Sequence, residues 1–136
     1  MDQHEQHNNV MQSVAEEYQD ILANSEQAIY IYLDDSHKIC NKKFATLLGY
    51  ESEDEWAKIE TSFPDTFVAD ESQETLVSAF QDAMEKSVAS VSKIVWKKKD
   101  TTTVKSSVVL VPISQNGELF ALHFVSSEDL SKAHSV

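Results

Sequence analysis

The side chains best equipped for proton transfer, nucleophilic attack or metal binding are five histidines, one cysteine and 23 acidic residues. His123 stands between Leu122 and Phe124 in a strand-like run, so one face of a sheet receives an imidazole. That position suits a hydrogen-bonded structural histidine, or one that touches a ligand or responds to pH. The sequence places no second metal ligand beside it. Paired with an inward Asp or Glu it would supply the acid–base couple of a small hydratase or isomerase, the one catalytic arrangement these residues allow. His4 and His7, at i and i+3, offer at most a weak metal site, and His37 falls at the tip of a hairpin. Cys40 ends a short strand and reads as a small buried apolar residue rather than a redox or adduct-forming thiol. There is no Gly-x-Ser-x-Gly or His-Glu-x-x-His, and two glycines leave little for a phosphate loop. The expectation is a chain without catalytic or metal-binding residues.

The charge balance narrows the partners. Net charge is −12, and all 11 basic residues are lysine. Without a basic face or arginine, nucleic-acid binding and planar capture of phosphate or carboxylate are disfavoured. Acidic residues crowd positions 51–85, where helix starts and solubility account for them. Lys93, Lys97, Lys98, Lys99 and Lys105 gather around one later hairpin, the pattern of a solvated edge strand that resists further pairing. No apolar run approaches the roughly 20 residues of a membrane span. Residues 1–25 lack the basic start and apolar stretch of a secretory signal. A lone cysteine suits a reducing compartment, so the expected location is the cytoplasm.

At 136 residues the chain fits one domain. Residues 1–8 are polar and read as a disordered tail. Asn9 with Gln12 forms a capping pattern opening an amphipathic helix over 9–25, where Met11, Val14, Tyr18, Ile21 and Leu22 share a face. That face requires cover, from the chain's own sheet or from a second copy. Ala28, Ile29, Ile31 and Leu33 mark a strand, Asp34 to Lys38 a polar hairpin tip, and Ile39-Cys40 a second strand. Asn41 then caps a short helix carrying Phe44, Leu47 and Leu48, and Gly49-Tyr50 has the form of a left-handed helix end. Ser52-x-x-Glu55 reads as a capping box ahead of Trp56. Phe63, Phe67 and Val68 point inward from a turn containing Pro64. Asp70 caps a long helix whose stripe is Leu76, Ala79, Phe80, Ala83 and Met84. Three strands follow over 89–99, 102–113 and 119–125, the last two joined by Asn116-Gly117, a strong type I′ turn signal.

This order, with Ala28-Ile29, Asn41, Leu48-Gly49-Tyr50 and an acidic Glu128-Asp129-Leu130 exit, resembles the PAS family of sensor and interaction domains over about residues 20–130. The resemblance implies an α+β fold: a PAS-like domain over 26–130, its five-stranded antiparallel sheet covered by helices on one face, with a tail at 131–136. Two hairpins depart from the family pattern, having Ser36-His37 and Asp100-Thr101 where a glycine is usual. The resemblance further implies a stand-alone regulatory module in signal transduction rather than an enzyme. It would work by homodimerisation through Met11, Val14, Tyr18, Ile21 and Leu22, or by docking to a kinase or transcription regulator supplied in trans.

Cofactor subclasses of the family can be weighed on residues. Haem sensors usually draw an axial His from the long helix, which here has none, and Met84 reads as core. Flavin photoreceptors that form an adduct need an Asn-Cys-Arg-Phe-Leu-Gln type motif, which is absent. No cofactor is therefore predicted, while a non-covalent flavin or an apolar or aromatic small ligand stays open. The pocket expected between the long helix and the sheet is lined by Phe44, Leu48, Phe63, Phe67, Leu76, Phe80, Met84, Ile94, Val108, Leu110 and Phe124, with His123 as its polar candidate. A plainly filled core is the alternative for the same set.

Overall fold

The computed structural model describes residues 3–115 and 117–128. Helices α1 (Gln3–Glu17) and α2 (Gln19–Asn24) lead into strands β1 (Ala28–Asp34) and β2 (His37–Cys40). The middle holds α3 (Lys42–Leu47), α4 (Glu53–Ala57), α5 (Phe63–Phe67) and the long α6 (Asp70–Lys86). A meander of β3 (Ser90–Lys97), β4 (Thr103–Gln115) and β5 (Glu118–Ser127) follows. The five strands form one sheet ordered β2-β1-β5-β4-β3, antiparallel at every pairing. This is the α+β architecture expected, and β3, the lysine-bearing strand, is indeed an edge.

Asn41 shows why the chain turns from sheet to helix where it does. Its Oδ1 accepts from the Phe44 amide, capping α3, and also from the Ile29 amide at the start of β1, each at 3.0 Å. Its Nδ2 donates to the Gln27 carbonyl at 2.9 Å. One buried side chain thus satisfies three backbone groups that neither ladder nor helix can reach. Helix α3 ends as its sequence specifies: Gly49 has φ +86°, Tyr50 N–H donates to Ala45 O at 2.8 Å, and Gly49 N–H donates to Thr46 O at 3.0 Å. Ser52 Oγ accepts from the Glu55 amide at 3.1 Å, while the Glu55 carboxylate accepts from the Glu51 amide.

The two-residue turn at Asp35-Ser36 makes the first hairpin a fastening point rather than a solvated tip. Asp35 Oδ1 accepts from Tyr32 O–H and from the Phe63 amide, at 2.8 and 3.0 Å. Lys38 is only 4% exposed. Its ammonium donates to the carbonyls of Asp35, Ala57 and Ile59 and lies 5.2 Å from the Trp56 ring. Hairpin, α4 and α5 are held together by these bonds. Burial lowers the Lys38 pKa, against the opposing charge of Asp35.

Several sequence expectations need correction. The helix begins at Gln3, inside the span read as a disordered tail, so Asn9 lies within it and is no cap. Its first turns rest on the protein: Gln6 donates to Glu118, and His7 meets Asp34. The expected single helix over 9–25 breaks at Tyr18, whose ψ of 12° offsets α2. Helix α6 takes Ala69, not Asp70, as its N-cap, because the Ala69 amide pairs with Val95 O while Ser72 Oγ accepts from the Val95 amide. Thr101, where a glycine is usual, takes φ +74°, a conformation that strains a β-branched residue. Position 116 of the second turn and positions 129–136, with most of the acidic exit and the tail, lie outside the described residues.

The faces of the sheet are clear. Inward lie Tyr30, Phe44, Trp56, Phe67, Ile94 and Trp96, all essentially solvent-free. Outward, α1 sets Val10, Met11 and Val14 on Ile29, Ile31, Phe120 and Leu122. The chain's own sheet therefore takes up the Met11 and Val14 surface assigned to a dimer contact; Tyr18 and Leu22 are partly buried there, and Ile21 stays exposed.

Asn41→Ala removes the cap and strands two further backbone groups near the core. We expect a loss of about 3 kcal/mol in urea unfolding; a loss below about 1 kcal/mol would show that water replaces the side chain.

Candidate functional site

Strand β1 alternates Ile29, Ile31 and Leu33 on one face with Tyr30 and Tyr32 on the other. The tyrosines face the helical layer, where α5 and α6 leave a cavity of about 220 Å³ against the sheet. Its walls are Tyr30, Tyr32, Phe63, Pro64, Leu76, Val77, Phe80, Gln81 and His123.

Two polar groups in this wall are exceptional. Tyr30 pairs with His123 across β1 and β5, and their rings stack almost in parallel, 3.9 Å between centroids at 9°. Phe44 and Phe63 also stack on Tyr30, and Trp56 and Trp96 meet it edge-on. Within this aromatic box the Tyr30 hydroxyl and His123 Nδ1 have no hydrogen-bond partner among the described residues, nor does Trp56 Nε1, which lies outside the cavity lining. An unsatisfied buried polar group costs about 1–3 kcal/mol, so two such groups on residues of a cavity wall are a feature that a small ring movement toward a guest or a water would relieve. By contrast, Trp96 Nε1 donates to Ser106 Oγ at 2.7 Å, and that hydroxyl donates to Ile94 O.

Burial sets the protonation of the site. It pushes the Tyr30 hydroxyl well above its usual range, with the Tyr32 charge adding a little. Burial likewise holds His123 down to about 3, against weak support for the cation from the Ala121 and Tyr30 backbone. Both groups are neutral at physiological pH. The Tyr32 hydroxyl is raised too, by burial and by its hydrogen bond to Asp35. No carboxylate lines the cavity among the described residues, so the acid–imidazole couple of a hydratase or isomerase is not assembled there. Cys40, paired with Tyr30 across β1 and β2, is not among the lining residues; burial, with the nearby Glu53 charge, pushes its thiol up to about 12, the behaviour of a small apolar residue.

Of the residues expected to line a pocket, Phe63, Leu76, Phe80 and His123 do so. Phe44, Leu48, Phe67, Ile94 and Val108 lie in the main core beside it. Met84 and Leu110 join Ala83 and Ala121 in a smaller cluster. Phe124 packs with the α1 cluster on the outer face. Neighbours on a strand point to opposite faces, so His123 inside requires Phe124 outside. Tyr30, Tyr32, Pro64, Val77 and Gln81 line it without having been expected to; for the tyrosines, the Tyr-Ile alternation of β1 was the available signal.

Because folded His123 is neutral while the unfolded residue gains a proton below about pH 6.5, its contribution to stability falls as pH drops from that value toward 3. His123→Phe keeps the stacked ring and removes the titration. Between pH 7 and 5 the wild type should lose about 2 kcal/mol more than this variant in urea unfolding; parallel pH profiles would refute the neutral, buried assignment.

No family model matches the sequence, and no curated protein does either. Solved structures match closely in fold. A PAS domain from a Colwellia psychrerythraea protein superposes with a TM-score of 0.64 at 20% identity, over 84% of this chain and 96% of that one. A PAS domain from a two-component sensor histidine kinase gives 0.62 at 9% identity, over 85% and 98%. A light-oxygen-voltage domain studied with a flavin analogue gives 0.60 at 16% identity, over 90% of both. With the strand order, the Asn41 cap and the cavity under α6, these likenesses lead to one conclusion: this chain has the PAS fold.

Proposed function

We propose that this chain is a sensory and protein-interaction module of signal transduction, binding a small, largely aromatic or apolar molecule between α6 and the sheet. The observation that carries the reading is an aromatic cavity two of whose wall residues, Tyr30 and His123, hold a neutral polar atom without a partner among the described residues, within a small ring movement of the hollow. Such a site favours an uncharged guest with one or two hydrogen-bonding atoms, because nothing in its lining offsets a charge. A cavity of 220 Å³ lies below the roughly 300 Å³ at which drug-sized sites begin. A non-covalent flavin is the second reading, supported by the flavin-domain neighbour; it requires α6 to move outward. With no carboxylate in the lining, the role is recognition rather than catalysis.

Transmission would pass through a protein contact, with a second copy or with a signalling domain such as a kinase or transcription regulator; the histidine-kinase neighbour supports the latter class. The surface that fits is the outer sheet face beside α1. Ile29, Phe124, Val109 and Val91 lie in register across four strands. Their exposure rises away from α1, from a solvent-free Ile29 to 37% for Val109 and 74% for Val91. We place a homodimer contact on this uncovered half.

The ligand reading is tested by amide NMR of the purified chain against a library of small aromatic alcohols and amides. Shifts should centre on Tyr30, Phe80 and His123, and Tyr30→Phe should weaken the best binder about tenfold; binding that ignores Tyr30→Phe would sink it. For the surface, light scattering should report a dimer that the double variant Val91→Glu/Val109→Glu reduces to a monomer. A wild-type monomer at the highest soluble concentration would remove the homodimer.

A further inference from the structure

Helix α1 and the first hairpin bring His7, Asp34 and His37 together from separate parts of the sequence. We propose that these three residues form a binding site for a divalent transition ion of the zinc class, fastening the start of α1 to the β1–β2 hairpin. One donor atom of each lies within 4.8 Å of the others. A tetrahedral zinc with ligands at about 2.0–2.1 Å holds its donors roughly 3.3 Å apart, so an entering ion spreads each carboxylate–imidazole contact by about 0.6 Å and takes the place of the proton between them. The geometry is already centred on the carboxylate. Asp34 Oδ2 is 2.7 Å from His7 Nδ1, and Asp34 Oδ1 is 2.6 Å from His37 Nδ1. The two imidazole rings meet edge to face at 5.4 Å.

Two imidazoles with one carboxylate suit zinc, cobalt, nickel or copper, whereas magnesium and calcium favour oxygen-only sites. Glu118 Oε1 stands 3.8 Å from His7 Nε2, on the far side of the ring from Asp34, and accepts a hydrogen bond from Gln6. Drawn in to hydrogen-bond distance, that carboxylate would orient a metal-bound imidazole and raise its basicity. His7 is delivered by a helix whose next residues, Val10 and Met11, are buried on the sheet, and His37 is buried in β2. Asp34 is 39% exposed, which gives an ion an entry path and room for water on its open side. The chain's negative charge concentrates cations around it.

The sequence reading expected no metal here because it set His7 in a disordered tail and His37 at a solvated tip; the fold puts both against Asp34. The site does not involve the cavity and stands apart from the ligand reading.

The test uses the full chain, free of any histidine tag and stripped with a chelator, titrated with zinc chloride by calorimetry and with cobalt(II) by visible absorption. One saturable ion per chain is expected, with cobalt bands of a nitrogen- and oxygen-ligated site. His7→Gln, checked for folding by circular dichroism, should weaken zinc at least tenfold and abolish those bands, as should Asp34→Asn. Glu118→Gln should weaken it about tenfold. Absence of saturable binding, or zinc affinity unchanged in His7→Gln because scattered carboxylates hold the ion, would overturn the proposal.

Discussion

The fold depends on a single buried amide. Asn41 stands where β2 ends and the helical layer begins, and it bonds to the Ile29 amide, the Phe44 amide and the Gln27 carbonyl together. These groups belong to the start of the central strand, the first turn of α3 and the link from α2. Fixing them in one place sets the angle at which α3 leaves the sheet, and so where Phe44 and Leu48 enter the core. An aliphatic residue of similar volume would leave three backbone groups without partners in an apolar setting.

Outward from that point the hairpin carries the rest. Asp35 and Lys38 use backbone groups of α4 and α5 as partners, so two helices too short to be stable alone are held by charges placed on a hairpin. Lys38 is nearly solvent-free and yet hydrogen-bonded to three carbonyls, which offsets the cost of burying its charge. The cavity then arises where α5 and α6 bridge the remaining width of the sheet.

What could be read from the sequence was what is settled locally. Asn41, Gly49-Tyr50 and Ser52-x-x-Glu55 each answer a backbone requirement within four residues, and each appears as expected. The stripe of α6 was legible for the same reason. The cavity was less so, because Ile-Tyr-Ile-Tyr-Leu is apolar on both faces and only pairing with β5 decides which face turns inward. A parity of one residue likewise separates His123 from Phe124. The start of α1 was hidden, since polar residues 3–8 gain their order from Asp34 and Glu118, far along the chain. The His7–Asp34–His37 cluster had no sequence signal for that reason.

Tyr30 and its neighbours Ile29 and Ile31 differ by one peptide unit but belong to different worlds. One borders the hollow under α6, and the others bear the weight of α1. No relay of side chains has to cross the protein for one to feel the other. Should a guest shift the tyrosine ring, as the ligand reading proposes, the backbone beneath the leading helix would move with it, over a path no longer than the sheet is thick.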